Sequence, residues 1–365
     1  MADQRPVDRD INLVLVTGAG ASREFGVNAR KLPLMSDWCA SMAQELAEGP
    51  AGYLQATGLR HDLDGPAFER QLGTFLQATQ AFDRIRGFLA PSVEFQVLVQ
   101  PVSPSQLKTW QETTRHHLDQ IIQIIYGSLY RSFGSPSLDI LKAWAAYSPL
   151  LTHFGVYAGT GGLVVATTNY DVLAEAALGA GGFRVDCGET PSPQRTNERT
   201  VESAGLLRGM PRYTPVLHLH GRTGWYRPRG SAQVQSTDSA THEAGFGTPV
   251  VLLPDLEKDY AGDEFIAGIW SDFRESLQRA RRVLVLGHSL HDAKLVESIR
   301  ENIELGRVGV AWHSGPTASA TERLDLESKV RTELAGAQTF GIDFTEPLDF
   351  DDQNAFHDWV IAAST

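Results

Sequence analysis

Residues 11–17, Ile-Asn-Leu-Val-Leu-Val-Thr, are almost all β-branched or leucine and run straight into Gly18-Ala19-Gly20. A strand that is apolar on both faces cannot have one face in water. It fits a parallel sheet with helices above and below it, and the glycine ends it. Similar short runs recur at 162–168 (GLVVATT), 215–220 (PVLHLH), 249–253 (PVVLL), 282–287 (RVLVLG) and 308–312 (VGVAW). Several precede helical patterns, so the sequence predicts an α/β fold on a Rossmann-like, mainly parallel sheet.

Between the first strand and GLVVATT lie about 140 residues with helical patterns and almost no strand, far too many for an ordinary crossover. Ser36 is an N-cap candidate, with Trp38, Met42 and Leu46 following on one face. Leu107, Trp110, Leu118, Ile121, Ile122, Ile125 and Leu129 form a longer stripe at helical spacing. Residues 36–150 therefore read as a helical insertion ending near Pro149, within a single domain spanning 1–365. The polar segments 188–200 and 230–248 read as loops.

A chain of 365 residues, 42% hydrophobic and 21% charged, has the makings of a sizeable core. Its formal net charge of -12 argues against non-specific binding to nucleic acid, which needs clustered Lys and Arg. Cys39 and Cys187 are the only two cysteines, too few for a disulfide framework or a four-cysteine zinc site. No segment reaches the ~20 apolar residues that span a bilayer, and no leader pattern opens the chain. The expectation is a cytoplasmic protein with no membrane partner.

In an open parallel sheet, ligands sit at the carboxyl ends of the strands. A turn made of Gly18, Ala19 and Gly20 lets backbone N–H groups approach a pyrophosphate, although a tight structural turn uses glycine equally well. The dehydrogenase fingerprint fails, because its third glycine falls at Arg23. Three further strand ends carry polar groups: TTNYD with Asn169 and Asp171, HLHG with His218 and His220, and LGHSLHD with Gly287, Ser289 and Asp292. The alternation of HLH places both histidines on one strand face, where they are either a metal pair or one structural and one functional residue. Ser22, Asp171 and Asp292 are also good helix caps.

GAGAS, TTNYD, HLHG and GHSL, in this order and at strand ends, resemble the Sir2 (sirtuin) NAD-binding fold, whose signatures are of the type GAGxS, TQNxD, HG and GxS. The segment from LPDLEKDYAGDEF to RRVLVLGHSLHD is similar to bacterial Sir2-like NADases of antiphage defence. The resemblance implies that Gly18, Ala19, Gly20, Ser22 and Thr168 line the dinucleotide, with Gly287 and Ser289 on its adenosine side. It implies that Asn169 holds the nicotinamide ribose and the attacking group, Asp171 the carboxamide, and that His220 is the general base. The implied activity is hydrolysis of NAD+ to nicotinamide and ADP-ribose, by an effector that forms a homo-oligomer or joins a partner such as a HerA-type ATPase or a short Argonaute.

Zinc-dependent deacylase sirtuins carry paired CxxC motifs, which this chain lacks, so no zinc ribbon and no zinc are expected. Tyr170 stands between Asn169 and Asp171 where the deacylases have an aliphatic residue, as it does in the Sir2-like effectors. Two rival readings remain, an NAD-dependent deacylase or ADP-ribosyltransferase and a non-catalytic module that senses NAD or ADP-ribose. Asp255, Lys258 and Trp270 lie near the same segment, as loop or core residues or as neighbours of the site.

Overall fold

The computed structural model of the chain describes residues 10–27, 31–33, 38, 41–42, 44, 71, 104–134, 138–191, 198–210, 212–228, 231–237, 248–252, 263–314, 320–343 and 349–362. The strands in chain order are β1 (Ile11–Thr17), β2 (Leu163–Thr167), β3 (Val185–Asp186), β4 (Glu189–Pro191), β5 (Glu198–Val201), β6 (Thr214–His218), β7 (Gly221–Arg227), β8 (Val234–Thr237), β9 (Thr248–Val251), β10 (Ala280–Leu286), β11 (Val308–His313), β12 (Gln338–Asp343) and β13 (Asp349–Phe350). The helices are α1 (Ala19–Ser22), α2 (Pro104–Phe133), α3 (Ile140–His153), α4 (Leu173–Ala180), α5 (Glu264–Arg279), α6 (Ala293–Asn302), α7 (Ala320–Glu333) and α8 (Gln353–Ile361).

The main sheet has the order β13-β12-β11-β10-β1-β2-β6-β3, and every pairing except β12 with β13 is parallel. β1 sits at its centre, with Leu15 opposite Leu284 on one side and Val165 on the other. Alternate residues of β1 enter two different cores. Val14 and Val16 pack with Val283, Val285, Trp270 and Phe273 on the α5 face. Leu13 and Leu15 pack with Leu284, Leu286, Leu150 and Leu151 on the α3 face. That double burial explains why the sequence reads as a continuous apolar run.

From β1 the chain adds β2 and then β6 in one direction, but β10, β11 and β12 in the other. The direction of winding therefore reverses between β1 and β10, the point at which α/β sheets form a ligand crevice outside the carboxyl ends of their strands. The turn after β10 meets the turn after β1 there, backbone against backbone. Gly18 N–H donates to the Leu286 carbonyl at 3.0 Å and Gly20 N–H to that of Gly287 at 2.9 Å. Gly287 has φ +61, and a Cβ added to it would lie 2.2 Å from Ala21 N. Replacing Gly287 by alanine is expected to cost about 2 kcal/mol or more, from left-handed strain together with the steric conflict. Chemical denaturation of the folded variant checks this. A Cβ on Gly20 would itself come 2.8 Å from the Gly287 oxygen. The glycines of GAGAS are thus required by packing, whatever they bind.

Several expectations need correction. PVVLL, expected in the parallel sheet, forms β9 of a second, antiparallel sheet with order β4-β5-β8-β7-β9. The polar segments expected as loops supply strands of that sheet. β4 and the start of β5 fall within 188–200, and β8 falls within 230–248. Pro149, taken as the end of the insertion, lies inside α3, which continues to His153 and packs in the sheet core.

Of the insertion, the described residues include α2 and most of α3. Trp38, Met42, Ile125 and Leu129 are buried within the chain, as core rather than as an exposed face. Trp38 Nε1 donates to Ser128 Oγ at 3.2 Å. Phe133 then meets the Tyr170 ring, centroids 6.2 Å apart, which ties the insertion to TTNYD. Ser36, Leu46, and the side chains of Leu107, Trp110, Leu118, Ile121 and Ile122 lie outside what is described.

Candidate active site

The crevice collects residues from four strand ends. Thr168 N–H donates to the Thr17 carbonyl at 3.1 Å, which joins the end of β2 to that of β1. Asn169 N–H then donates to Thr167 Oγ1 at 3.0 Å, a local bond that turns the chain and buries the Asn169 side chain. The carboxamide nitrogen donates twice, to the Gly18 carbonyl at 3.0 Å and to Ser22 Oγ at 2.8 Å. A carbonyl can only accept, so the amide orientation is fixed. Both N–H groups are committed to the scaffold, which leaves the carboxamide oxygen to accept from a ligand.

Ser22 passes the chain of hydrogen bonds on to Asp171, whose carboxylate accepts from it and from Leu173 N–H at 3.0 Å. Asp171 is buried, and burial is the main reason its carboxyl is pushed up to about 6. The two hydrogen bonds oppose that rise, Glu175 adds to it and His218 counters it. Tyr147 from α3 packs alongside, its hydroxyl donating to the Ala21 carbonyl at 2.9 Å. Burial and then Asp171 push that phenol upward, so it stays neutral. The result is a carboxyl group that changes charge near physiological pH, beside a locked carboxamide.

The two histidines of HLHG part company. β6 ends at His218, so the strand alternation does not reach His220, and the expectation that both lie on one strand face is corrected. His218 turns toward α4 and meets Glu175 Oε1 at 3.2 Å. His220 meets Asp292 Oδ2 at 2.6 Å. The backbone between them is held from three directions. Leu219 N–H donates to the Thr167 carbonyl at 2.9 Å, Leu252 N–H to that of His220 at 2.7 Å, and Trp270 Nε1 to that of Leu219 at 3.0 Å. Trp270 is therefore a core residue that positions the turn.

Asp292 has two tasks. Oδ1 caps α6 by accepting from Leu295 N–H at 3.1 Å, while Oδ2 holds the imidazole. Its capping role was legible in the sequence, but its pairing with a histidine 72 residues earlier was not. A neutral imidazole that donates Nε2–H to a carboxylate has Nδ1 as its basic nitrogen, which is how such a pair selects a tautomer.

Gly287 is half-buried and Ser289 exposed on the loop after β10. His288 Nδ1 accepts from Leu290 N–H at 2.9 Å, and Leu290 is the one described non-glycine residue at positive φ, +56. A leucine in the left-handed region stores strain beside the crevice. Ala19 is exposed at the start of α1. That helix is only four residues long and passes into a 3₁₀ turn, Arg23–Phe25. Asp255 and Lys258 lie outside the described residues.

A cavity of about 360 Å³ lies beside the crevice rather than in it, between α2, α4 and the second sheet, with Cys187, Glu175 and Arg222 among its lining residues. Sequence reasoning gave Glu175 and Arg222 no role. Arg222 bridges two acids, Nη1 to Glu175 Oε1 and Nη2 to Glu189 Oε1, each at 2.7 Å. No helix among the described residues is long and apolar enough to cross a membrane. Neither protein-family models nor curated proteins gave a match to the chain, so the site stands on its own geometry.

Proposed function

We propose that the chain hydrolyses NAD+ to nicotinamide and ADP-ribose in the crevice between β1 and β10. The observation that carries this reading is that two linked sets, Asn169–Ser22–Asp171 and His220–Asp292, are both built from residues that follow the carboxyl ends of strands in a doubly wound sheet. Crevices of this kind take nucleotides in α/β proteins. The resemblance of GAGAS, TTNYD, HLHG and GHSL to the Sir2 signatures names the dinucleotide.

The chemistry asked of the site is modest. Nicotinamide leaves a cationic pyridinium as a neutral molecule, so no strong acid is required. The ribose passes through an oxocarbenium-like state that ionised Asp171 and the Asn169 oxygen stabilise electrostatically. His220 accepts the proton of the attacking water or ribose hydroxyl, and the Asp292 carboxylate balances the imidazolium that forms. Ala19, Ser22 and Thr168 line the phosphate and ribose side, and Gly287 and Ser289 the adenosine side, while Gly18 and Gly20, whose N–H groups are taken by the Leu286 and Gly287 carbonyls, contribute the close backbone approach.

The cellular role suggested by the resemblance is that of a cytoplasmic antiphage effector, restrained until it assembles with itself or with a HerA-type ATPase or short Argonaute partner. Specific activity is accordingly expected to rise with protein concentration, measured alongside the oligomeric state by light scattering. Incubating the purified chain with NAD+ and separating the products by chromatography tests the reaction itself. Release of nicotinamide together with ADP-ribose is the expected result. An assembled sample that binds NAD+ and leaves it intact would reduce the site to a sensor.

A further inference from the structure

We propose that Glu175, Cys187 and His218 form a binding site for one divalent, zinc-type cation, separate from the crevice. The three come from different elements: Glu175 from α4, Cys187 from the link between β3 and β4, and His218 from the end of β6. One donor atom from each lies within 4.8 Å of the other two. A carboxylate oxygen, a thiolate and an imidazole nitrogen are the ligand types zinc takes, with metal–ligand distances of about 2.0–2.3 Å, so small rotations of these side chains close the set around an ion.

Two buried atoms of this cluster, Glu175 Oε2 and His218 Nδ1, have no hydrogen-bond partner. The His218 side chain is fully buried. Unsatisfied buried polar atoms are uncommon in folded proteins, and a missing ion is one of the standard reasons for them. The nearby ion pairs leave this donor set available. Arg222 Nη1 and His218 Nε2 both contact Glu175 Oε1, which leaves Glu175 Oε2 and His218 Nδ1 as the uncommitted donors, and Arg222 otherwise engages Glu189, which also takes Trp225 Nε1 and Arg199. The adjoining cavity, lined by Glu175 and Cys187, gives the ion an entry path and room for a fourth, exchangeable ligand.

The same three residue types also suggest a cysteine nucleophile with a histidine base. The surroundings disfavour it. Burial first, and then the Glu175 carboxylate, push the Cys187 thiol well above its usual range; Arg222 opposes the rise, and Glu189 and Asp186 add to it. Acids that oppose a bare thiolate attract a divalent cation, and metal binding releases the thiol proton to solvent. The expectation of a zinc-free chain rested on missing cysteine pairs, and a site assembled from three elements leaves no such spacing in the sequence.

The test uses the full chain, stripped with a chelator and then dialysed against zinc or cobalt. Elemental analysis is expected to give about one zinc per chain. Zinc at a hundredfold excess over its Kd is expected to raise the melting temperature by about 3–4 °C. Cobalt is expected to give a thiolate-to-metal charge-transfer band, unchanged in Cys39→Ser and lost in Cys187→Ser together with the zinc. Cys187→Ser is nearly isosteric, and its metal-free melting temperature reports whether it folds. Absence of bound zinc in folded wild-type protein overturns the proposal, as does equal zinc in folded Cys187→Ser. None of these readouts depends on NAD+ cleavage.

Discussion

Replacing His220 by alanine is expected to lower NAD+ cleavage by at least ~100-fold, the scale on which a positioned general base contributes. Its main chain is anchored by Leu252 N–H and its neighbour Leu219 by Thr167 and Trp270, so the turn should survive loss of the ring. The sharper probe is Asp292→Asn. An asparagine still caps α6 through its side-chain oxygen, so stability should change little. The amide, however, no longer supplies the negative charge that orients the ring and balances the imidazolium, and a loss of at least ~10-fold in kcat is expected with little change in the affinity for NAD+. His218→Ala alters a contact with Glu175 rather than with Asp292 and should cost far less in turnover. Rates for all three variants, normalised to folded protein, check the assignment. Near-normal turnover by folded His220→Ala would remove it.

The sequence disclosed what depends on local pattern. β1 was expected at residues 11–17 and occupies Ile11–Thr17, because double burial leaves an unbroken apolar run between polar neighbours. β10 and β11 were legible for the same reason. β4, β5 and β8 were not, since Glu-Thr-Pro, Glu-Arg-Thr-Val and Val-Gln-Ser-Thr are short and carry polar or charged residues that read as loop. Their pairing is decided by tertiary contact, as strand preference often is. β12, Gln-Thr-Phe-Gly-Ile-Asp, was hidden by the glycine in its middle.

The site divides in the same way. Asn169, Asp171 and His220 could be picked out because each follows a legible strand, where ligand groups gather. Their partners could not. The Asn169 bonds to Gly18 and Ser22 cross about 150 residues of sequence, and the pairings of His220 with Asp292 and of His218 with Glu175 are equally silent in one dimension. HLH gives the clearest example. Two histidines two apart predict one strand face, but the strand stops at the first of them, and the turn sends the second ring to another carboxylate.

Asp171→Asn should make the protein more stable at neutral pH and nearly inactive. In the folded chain burial is the largest influence on this carboxyl, and it titrates at about 6 against a reference value of 3.8. Below pH 3.8 the group is neutral both folded and unfolded, and burial costs nothing in charge. As pH rises from there, the unfolded chain loses its proton first, so the folded state becomes progressively less favoured until the native carboxyl also ionises near pH 6. Above that the penalty is constant, about 3 kcal/mol by linkage. Asparagine never ionises and keeps an acceptor for Leu173 N–H, but it leaves the Ser22 hydroxyl without its carboxylate, at a cost of about 1 kcal/mol. The net gain at pH 8 is expected to be about 1–2 kcal/mol, vanishing toward pH 4. Denaturant unfolding of chelator-treated wild type and variant across this range measures it, with no cation at Glu175 to shift the carboxyl. Activity should run in the opposite sense. Wild-type cleavage should rise with pH through about 6 as Asp171 acquires the charge that stabilises the ribosyl cation, and the variant should be at least ~100-fold slower at every pH. A stability difference between the two that stays flat from pH 4 to 8 would show that burial does not raise the Asp171 carboxyl, and the proposed exchange of stability for catalysis at this residue would fall with it.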